Sequence, residues 1–590
     1  MKHILIISFL FLISCKETNV SVVEFESHHI QLNINVDNHS AKLSDSGKMR
    51  VSKGWNLFTL NGFVDIHSFN IDDILIEYQS FSSKEPSNIP IQFRDKIPSG
   101  NPHEEEQIIA FQSKSADIKS FSISYSGTFY ENVEDVHFSN ENVGREVTAT
   151  ISEQGAYFSP AATYYPMGNE SMASFKLTAN IPEIWESISD GNRLSNETKN
   201  GRKIQSWGNP FKNDGNMFMA APFVTKSTWV DDIEVACYFF EADTGLFDQY
   251  LPATAGYIRQ YSELIGPYPY ERFTVVENFF PTGYGMPAWT LLGQQVIRLP
   301  FIVFTSLGHE VLHNWWGNSV YVDYDRGNWC ESATVYGADY RYKLKRSPDA
   351  AKTYRKDILK QYVNYVTEEN DFPIRKFVNR TSPETRTIGY NKAMMVYHMI
   401  EEEIGTEPFF DAWKLVNTKH QEQRISWEEW VTAFEETSGK DLNHIIPQWI
   451  NQEGAPILDL KINDASDDFI DFTLFEKSGQ NYRLEVPIHF DSGFDTTVVL
   501  SSPSSTFSMK LSKKANSISV DPDLHLFRRL YPVEIEPILS AALGNKNKLF
   551  FTNDNPEHFQ TFGNNVTESD VTILTTENIS TQNKTSLPII

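Results

Sequence analysis

The sequence predicts a multidomain α+β protein, and three observations predict it. At 590 residues the chain is longer than one hydrophobic core serves, so several domains are expected. Apolar residues recur at every second position up to about residue 220 and again after about 454, whereas a 3.6-residue period dominates from about 301 onward. Hydrophobic residues make up 40% and aromatics 13%, enough for packed cores and not the composition of a disordered chain. The expected divisions are a signal peptide at 1–15, a β domain at 16–222, a mixed and then helical domain at 223–453, and a small β-sandwich at 454–531. Residues 532–590, with Asn- and Thr-rich runs, show no period and are assigned no fold.

Lys2 and His3 precede an apolar run, Ile4 to Ile13, which has the length of a signal-peptide core and is too short to span a bilayer. It ends Leu12-Ile13-Ser14-Cys15, which resembles the bacterial lipobox, in which the Cys receives lipid. The expectation is an exported protein tethered through Cys15 to a bacterial membrane, in the periplasm or at the cell surface. A formal charge of -26 argues against nucleic acid or anionic lipid as a partner, since both require clustered Lys and Arg. Membrane contact is therefore expected only through the anchor. Beyond Cys15 only Cys237 and Cys330 remain, too few for a disulfide framework, and two buried thiols are expected.

In the first domain Phe121-Ser-Ile123-Ser-Tyr125 alternates as a strand does, and Ala173 to Ala179 repeats the pattern. Strands at Ile233 to Phe240 and Phe273 to Glu277 flank a helical stretch from Leu246 to Ile265. Ala393, Val396, Tyr397, Ile400 and Ile404 line one face of a helix that Gly405 closes, and Ser426-Trp-Glu-Glu429 is a capping-box start for another. Strands return as Ile470/Phe472/Leu474, Tyr482/Leu484/Val486/Ile488 and Phe507/Met509/Leu511, enough for a sandwich that ends near Leu530.

Residues 309 to 313 read His-Glu-Val-Leu-His. Two His four apart on a helix lie on one face, about 5–6 Å apart at Cβ, so both imidazoles can reach one metal ion. Glu310 stands where it can accept a proton from a metal-bound water. Hydrolytic zinc sites keep three protein ligands and leave a position for water. Glu331, which opens a segment of helical composition, is the candidate third ligand; the plain alternative for a single Glu is a solvated helix face.

The run Gly308-His-Glu-Val-Leu-His-Asn-Trp-Trp-Gly-Asn318, followed by Trp329-Cys-Glu331-Ser-Ala-Thr-Val-Tyr336, resembles the zinc metallopeptidases of the aminopeptidase N and leukotriene hydrolase family, the gluzincins. The resemblance implies one zinc ion per chain, held by His309, His313 and Glu331. The connection from His313 to Glu331, residues 314 to 330, is one residue shorter than is usual in that family. Gly389-Tyr390-Asn391-Lys392-Ala393 looks like the family's Tyr-x-Lys-Gly segment, which makes Tyr390 the oxyanion-stabilising residue. In Gly285-Met286-Pro287-Ala288-Trp289 the Met and Trp match the family's substrate loop, so Gly285 and Met286 are expected to bind the substrate backbone. Pro287 and Ala288 stand where Glu and Asn belong, and that Glu anchors the substrate's free amine in the aminopeptidases. Family membership further implies a β-saddle N-terminal domain, a thermolysin-like catalytic domain and a small β domain.

The expected activity is zinc-dependent hydrolysis of peptides, with Glu310 as general base and Tyr390 as oxyanion donor. It is aminopeptidase-like but lacks the amine-anchoring Glu. The amine either finds another carboxylate, Glu277 among the candidates, or is not anchored at all. The alternative from another class is a lipid-tethered peptide-binding protein on an inactive scaffold.

Overall fold

The computed structural model describes residues 19–97, 105–135, 147–169, 172–535, 549–551 and 572–574. Cys15 and the proposed signal peptide lie outside the described residues, as does most of the tail after residue 535. Within that tail Leu549–Phe551 and Thr572–Leu574 pair in parallel, two short strands that composition did not suggest. Among the described residues no helix is long and apolar enough to cross a membrane.

The chain divides into two compact units, one of residues 1–138, 143–255 and 269–300, the other of 139–142, 256–268 and 301–590. The first unit is built from β-sheets. Its largest sheet has eight strands in the order Asn192–Lys199, Arg202–Gly208, Ser174–Pro182, Glu24–Asn35, Ser40–Val51, Asp117–Thr128, Val64–Ile71 and Ile74–Leu75. The alternation in Phe121, Ile123 and Tyr125 is realised as predicted, with all three buried on one face. A five-stranded sheet runs Val224–Val230, Ile233–Phe239, Arg272–Asn278, Trp289–Gly293 and Gly283–Met286. Val276, Met286, Trp289 and Leu291 of that sheet share one core with Tyr157, Trp207 and Phe218 of the N-terminal sheets. This shared core is why the five-stranded sheet groups with the β-rich region that precedes it.

The second unit is mainly helical up to Ile450 and then β. The helix Ala393–Ile404 buries the predicted face and ends at Gly405, and Trp427–Ser438 starts with the predicted capping box, in which Ser426 and Glu429 satisfy each other's backbone amides. Two three-stranded sheets follow: Leu458–Ala465, Phe469–Glu476 and Ser504–Lys510 form one, while Phe494–Leu500, Leu484–Phe490 and Ile518–Val520 form the other. Ile470, Phe472 and Leu474 from one sheet and Leu484, Val486, Ile488 and Phe490 from the other are buried, and the rings of Phe472 and Phe490 meet at 6.5 Å. Period-two alternation therefore filled a two-sheet interior.

Candidate metal centre

One short helix, Ser306–Leu312, carries His309 and is capped at its C-terminus by His313, whose amide donates to the carbonyl of His309 at 3.2 Å. That i to i+4 bond holds both imidazoles on one face, while Leu307, Val311 and Leu312 are buried. Glu331 arrives on a second helix, Cys330–Val335, which continues through a π-helical turn at Tyr336–Tyr340 into Arg341–Arg346. Gly337 lets this helix come close: a Cβ there would stand 2.7 Å from Leu312 and 3.0 Å from Trp413.

The short connection between the two helices is pinned along its length. Tyr321–Val322 pairs with Arg424–Ile425, Trp329 Nε1 donates to the Ile425 carbonyl at 2.8 Å, and Arg326 meets Glu428 at 2.9 Å. Asn328 donates through its amide to Phe377 and through Nδ2 to Val378, both at 2.8 Å. Trp316 and Trp329, at the two ends of the connection, pack edge to face with Trp413 or Trp430 at centroid separations of 5.0 to 5.4 Å. One residue fewer therefore still delivers Glu331.

His309 Nε2 and His313 Nε2 lie 3.1 Å apart, and Glu331 Oε2 is 3.6 Å from the first and 3.7 Å from the second. A point equidistant from three atoms so spaced is about 2.0 Å from each, the length of a Zn–N or Zn–O bond. The other ring nitrogens fix the tautomers. His309 Nδ1 faces Asp339 Oδ2 at 2.8 Å, and His313 Nδ1 faces the Trp316 carbonyl at 3.0 Å. Both partners are acceptors, so each Nδ1 carries the proton and each Nε2 presents a lone pair to the common point. Two imidazole nitrogens at 3.1 Å beside a carboxylate oxygen are a donor set that fits zinc.

The field agrees. Burial opposes charge on His309, but Asp339 and then Glu331 outweigh it, and its pKa is pushed up to about 9. His313 is raised as well, against burial, by Cys330 and Glu331. Glu331 is held well below the carboxylate range by the two His in spite of its burial. Glu310 is raised by burial, with the two His pulling the other way, so its carboxylate is a stronger base than one in water.

Tyr390 sits in another π-helical turn, Thr387–Lys392. Its ring meets Phe377 edge to face at 5.8 Å and has the Arg380 guanidinium 5.9 Å from its centroid. Burial and the neighbouring Glu331 carboxylate raise its pKa, so the hydroxyl remains protonated and able to donate. Tyr390 is thus brought to the same carboxylate as the two His. Gly285 and Met286 lie in the first unit, on the edge strand Gly283–Met286, which pairs only with Trp289–Gly293 among the described residues. Pro287 and Ala288 form the two-residue tip of that hairpin, with Ala288 at a φ of 72°. The Pro287 carbonyl accepts from Gly191 at 3.0 Å. Glu277 is fully buried and accepts from the Phe240 amide at 2.7 Å, which removes it as an exposed anchor for an amine.

Comparison with known proteins places this geometry. Residues 300–449 match the peptidase family M1 domain, a span that holds both His, both Glu and Tyr390. Over this span the chain is similar to peptidase family M1. The chain is 23% identical over 321 residues to aminopeptidase M1 of Arabidopsis thaliana, a match covering 50% of this chain and 36% of the relative. To aminopeptidase N of Escherichia coli strain K12 it is 24% identical over 330 residues, which is 51% of this chain and 37% of the relative. The chain thus spans little more than a third of the length of these curated relatives. The crystal structure of Legionella pneumophila aminopeptidase A in complex with aspartic acid shares the fold, at a TM-score of 0.65 and 14% identity, covering 88% of this chain and 61% of that one.

Sequence reasoning missed Asp339 and the Trp316 carbonyl. Asp339 stands eight residues after Glu331, a spacing that in an uninterrupted α-helix turns it well past the Glu331 face. The wider π turn takes up part of that excess, and nothing in the local composition announces it. Cys237 and Cys330 are both free and buried, as expected. The Cys330 thiol donates to the Trp316 carbonyl at 3.0 Å, and burial pushes its pKa up.

Proposed function

We propose that this chain hydrolyses peptide bonds with one zinc ion at His309, His313 and Glu331. The observation that carries the proposal is the convergence of two lone-pair nitrogens and a carboxylate oxygen on one point at zinc-bonding distance, with both tautomers set from behind. Zinc held there would supply Lewis acidity and bring the pKa of a water down to about 7. Glu310, whose basicity burial raises, accepts the proton of the attacking water and passes it to the leaving amine. Tyr390 donates its hydroxyl to the carbonyl oxygen as negative charge develops there. The Gly285–Met286 edge strand pairs with the extended substrate backbone.

The action we propose is aminopeptidase-like without a carboxylate at position 287 to hold the substrate amine. A charge-assisted amine contact contributes about 1.5–3 kcal/mol, or roughly 10- to 100-fold in kcat/KM. N-acetylation of a peptide substrate is therefore expected to change kcat/KM by less than about tenfold. A larger loss on acetylation sinks this part and points to another anchoring carboxylate. For the chemistry itself, Glu310→Gln is expected to abolish turnover while zinc is retained; undiminished hydrolysis by that variant would overturn the mechanism, and absence of turnover in the parent protein would favour a binding protein.

We further propose export and lipid attachment at Cys15, resting on the charged start, the apolar run and the lipobox-like tetrapeptide. Incorporation of a labelled fatty acid that Cys15→Ala removes is the expected result, and equal labelling of both chains excludes it.

A further inference from the structure

A second convergence of two imidazoles and a carboxylate lies in the helical unit, between the helix Ala393–Ile404 and the segment that leaves the last sandwich strand, Ile518–Val520. His398 Nε2 is 3.0 Å from His525 Nδ1, and Glu402 Oε1 is 3.4 Å from His525 Nδ1 and 3.9 Å from His398 Nε2. The point equidistant from these three atoms is again about 2.0 Å from each, a zinc-ligand length. None of the three has a part in the peptidase chemistry.

The ligand atoms are held from behind. His398 and Glu402 are i and i+4 on one helix, the spacing that joins His309 to His313. His525 rides on a segment fixed by buried groups. The Asp521 carboxylate accepts from the amides of His525 at 2.7 Å and Leu526 at 3.3 Å, and the Arg355 guanidinium donates to the carbonyls of Asp523 at 2.7 Å and Leu524 at 3.0 Å. The His398 ring is buried, stacks on His525 with a 19° interplanar angle, and has the Tyr340 hydroxyl 3.4 Å from its Nδ1. On the open side a cavity of about 190 Å³ lined by Tyr340, Lys352, Arg355, Glu401 and Asp523 leaves room for water to complete a coordination shell.

We propose that His398, Glu402 and His525 form a second metal site for a borderline divalent cation of the zinc type, which clips the helix Ala393–Ile404 to the segment closing the β-sandwich. Two imidazoles and one carboxylate suit zinc, nickel or copper and not calcium or magnesium, which require oxygen ligands. A hydrogen bond between the rings accounts for the 3.0 Å contact, but not for a carboxylate directed at the same two nitrogens.

The test counts zinc. Full-length wild-type protein and the variants His525→Ala and Glu402→Gln are stripped with a chelator, equilibrated with micromolar zinc and assayed for bound metal by elemental mass spectrometry. Each variant is expected to bind one equivalent fewer than wild type, with peptide hydrolysis unchanged. Glu402 is half exposed, so Glu402→Gln reads the site even where His525→Ala does not fold. Equal counts in wild type and the folded variants overturn the proposal. Because the readout is the difference between chains, it holds whether the centre at His309 takes up its ion or not.

Discussion

Asp339→Asn keeps the volume beside His309 and one acceptor oxygen within reach of Nδ1, and removes only the carboxylate charge. The contact is short, at 2.8 Å, and partly sheltered, with side-chain exposures of 15% for His309 and 32% for Asp339. Hydrogen bonds to an ionised acceptor are about twice as strong as neutral ones, and loss of a group that orients a metal-bound His lowers metal affinity by roughly 10- to 100-fold. Solvent reaches a third of the Asp339 side chain, and its screening places the expected loss at the lower end, about tenfold or 1.4 kcal/mol. Competition against a chelator of known affinity measures it directly on the full chain. Thr334→Val is the control: its hydroxyl stands 3.4 Å from His313 Nδ1, farther than the Trp316 carbonyl at 3.0 Å, so its removal is expected to change zinc affinity by less than about threefold. If Asp339→Asn binds zinc within twofold of wild type, the orienting role assigned to Asp339 is wrong.

Three further outcomes are expected. Tyr390→Phe removes one preorganised donor and should lower kcat by about 10²–10³ with little change in KM, so unchanged kcat excludes Tyr390 from the oxyanion site. Gly389→Ala places a Cβ 2.3 Å from the Phe377 ring that abuts Tyr390; a loss of about 1–3 kcal/mol in urea unfolding together with reduced kcat is expected, and neither change would show that the ring yields freely. Asp190 is pushed up to about 7 by burial, although the Met217 amide and the Trp289 indole donate to it. Its folded pKa exceeds its unfolded value, so its contribution to stability is fully present below about pH 4 and is lost as pH rises through 7, about 4 kcal/mol in all. Asp190→Asn should flatten the fall in stability between about pH 4 and 7 relative to wild type, and parallel pH profiles would refute the assignment.

Much of this protein is written in short stretches of its chain. The alternation at Phe121, Ile123 and Tyr125, the apolar face ending at Gly405 and the Ser426 cap are local patterns, because strand and helix periods depend on neighbours a few residues away. The pairing of His309 with His313 is local for the same reason, and the resemblance extended it to Glu331 and Tyr390. What only the tertiary structure decided is what surrounds those atoms. A π turn carries Asp339 to His309, a Trp-lined connection delivers Glu331 in spite of its shorter length, and Pro287 occupies a hairpin tip. Likewise, nothing near residue 398 announces His525, which reaches it through the closing segment of a separate sandwich. Periodicity states which face a side chain takes on its own element; which atoms it meets depends on packing between elements distant in sequence, and there the chemistry of both centres is set.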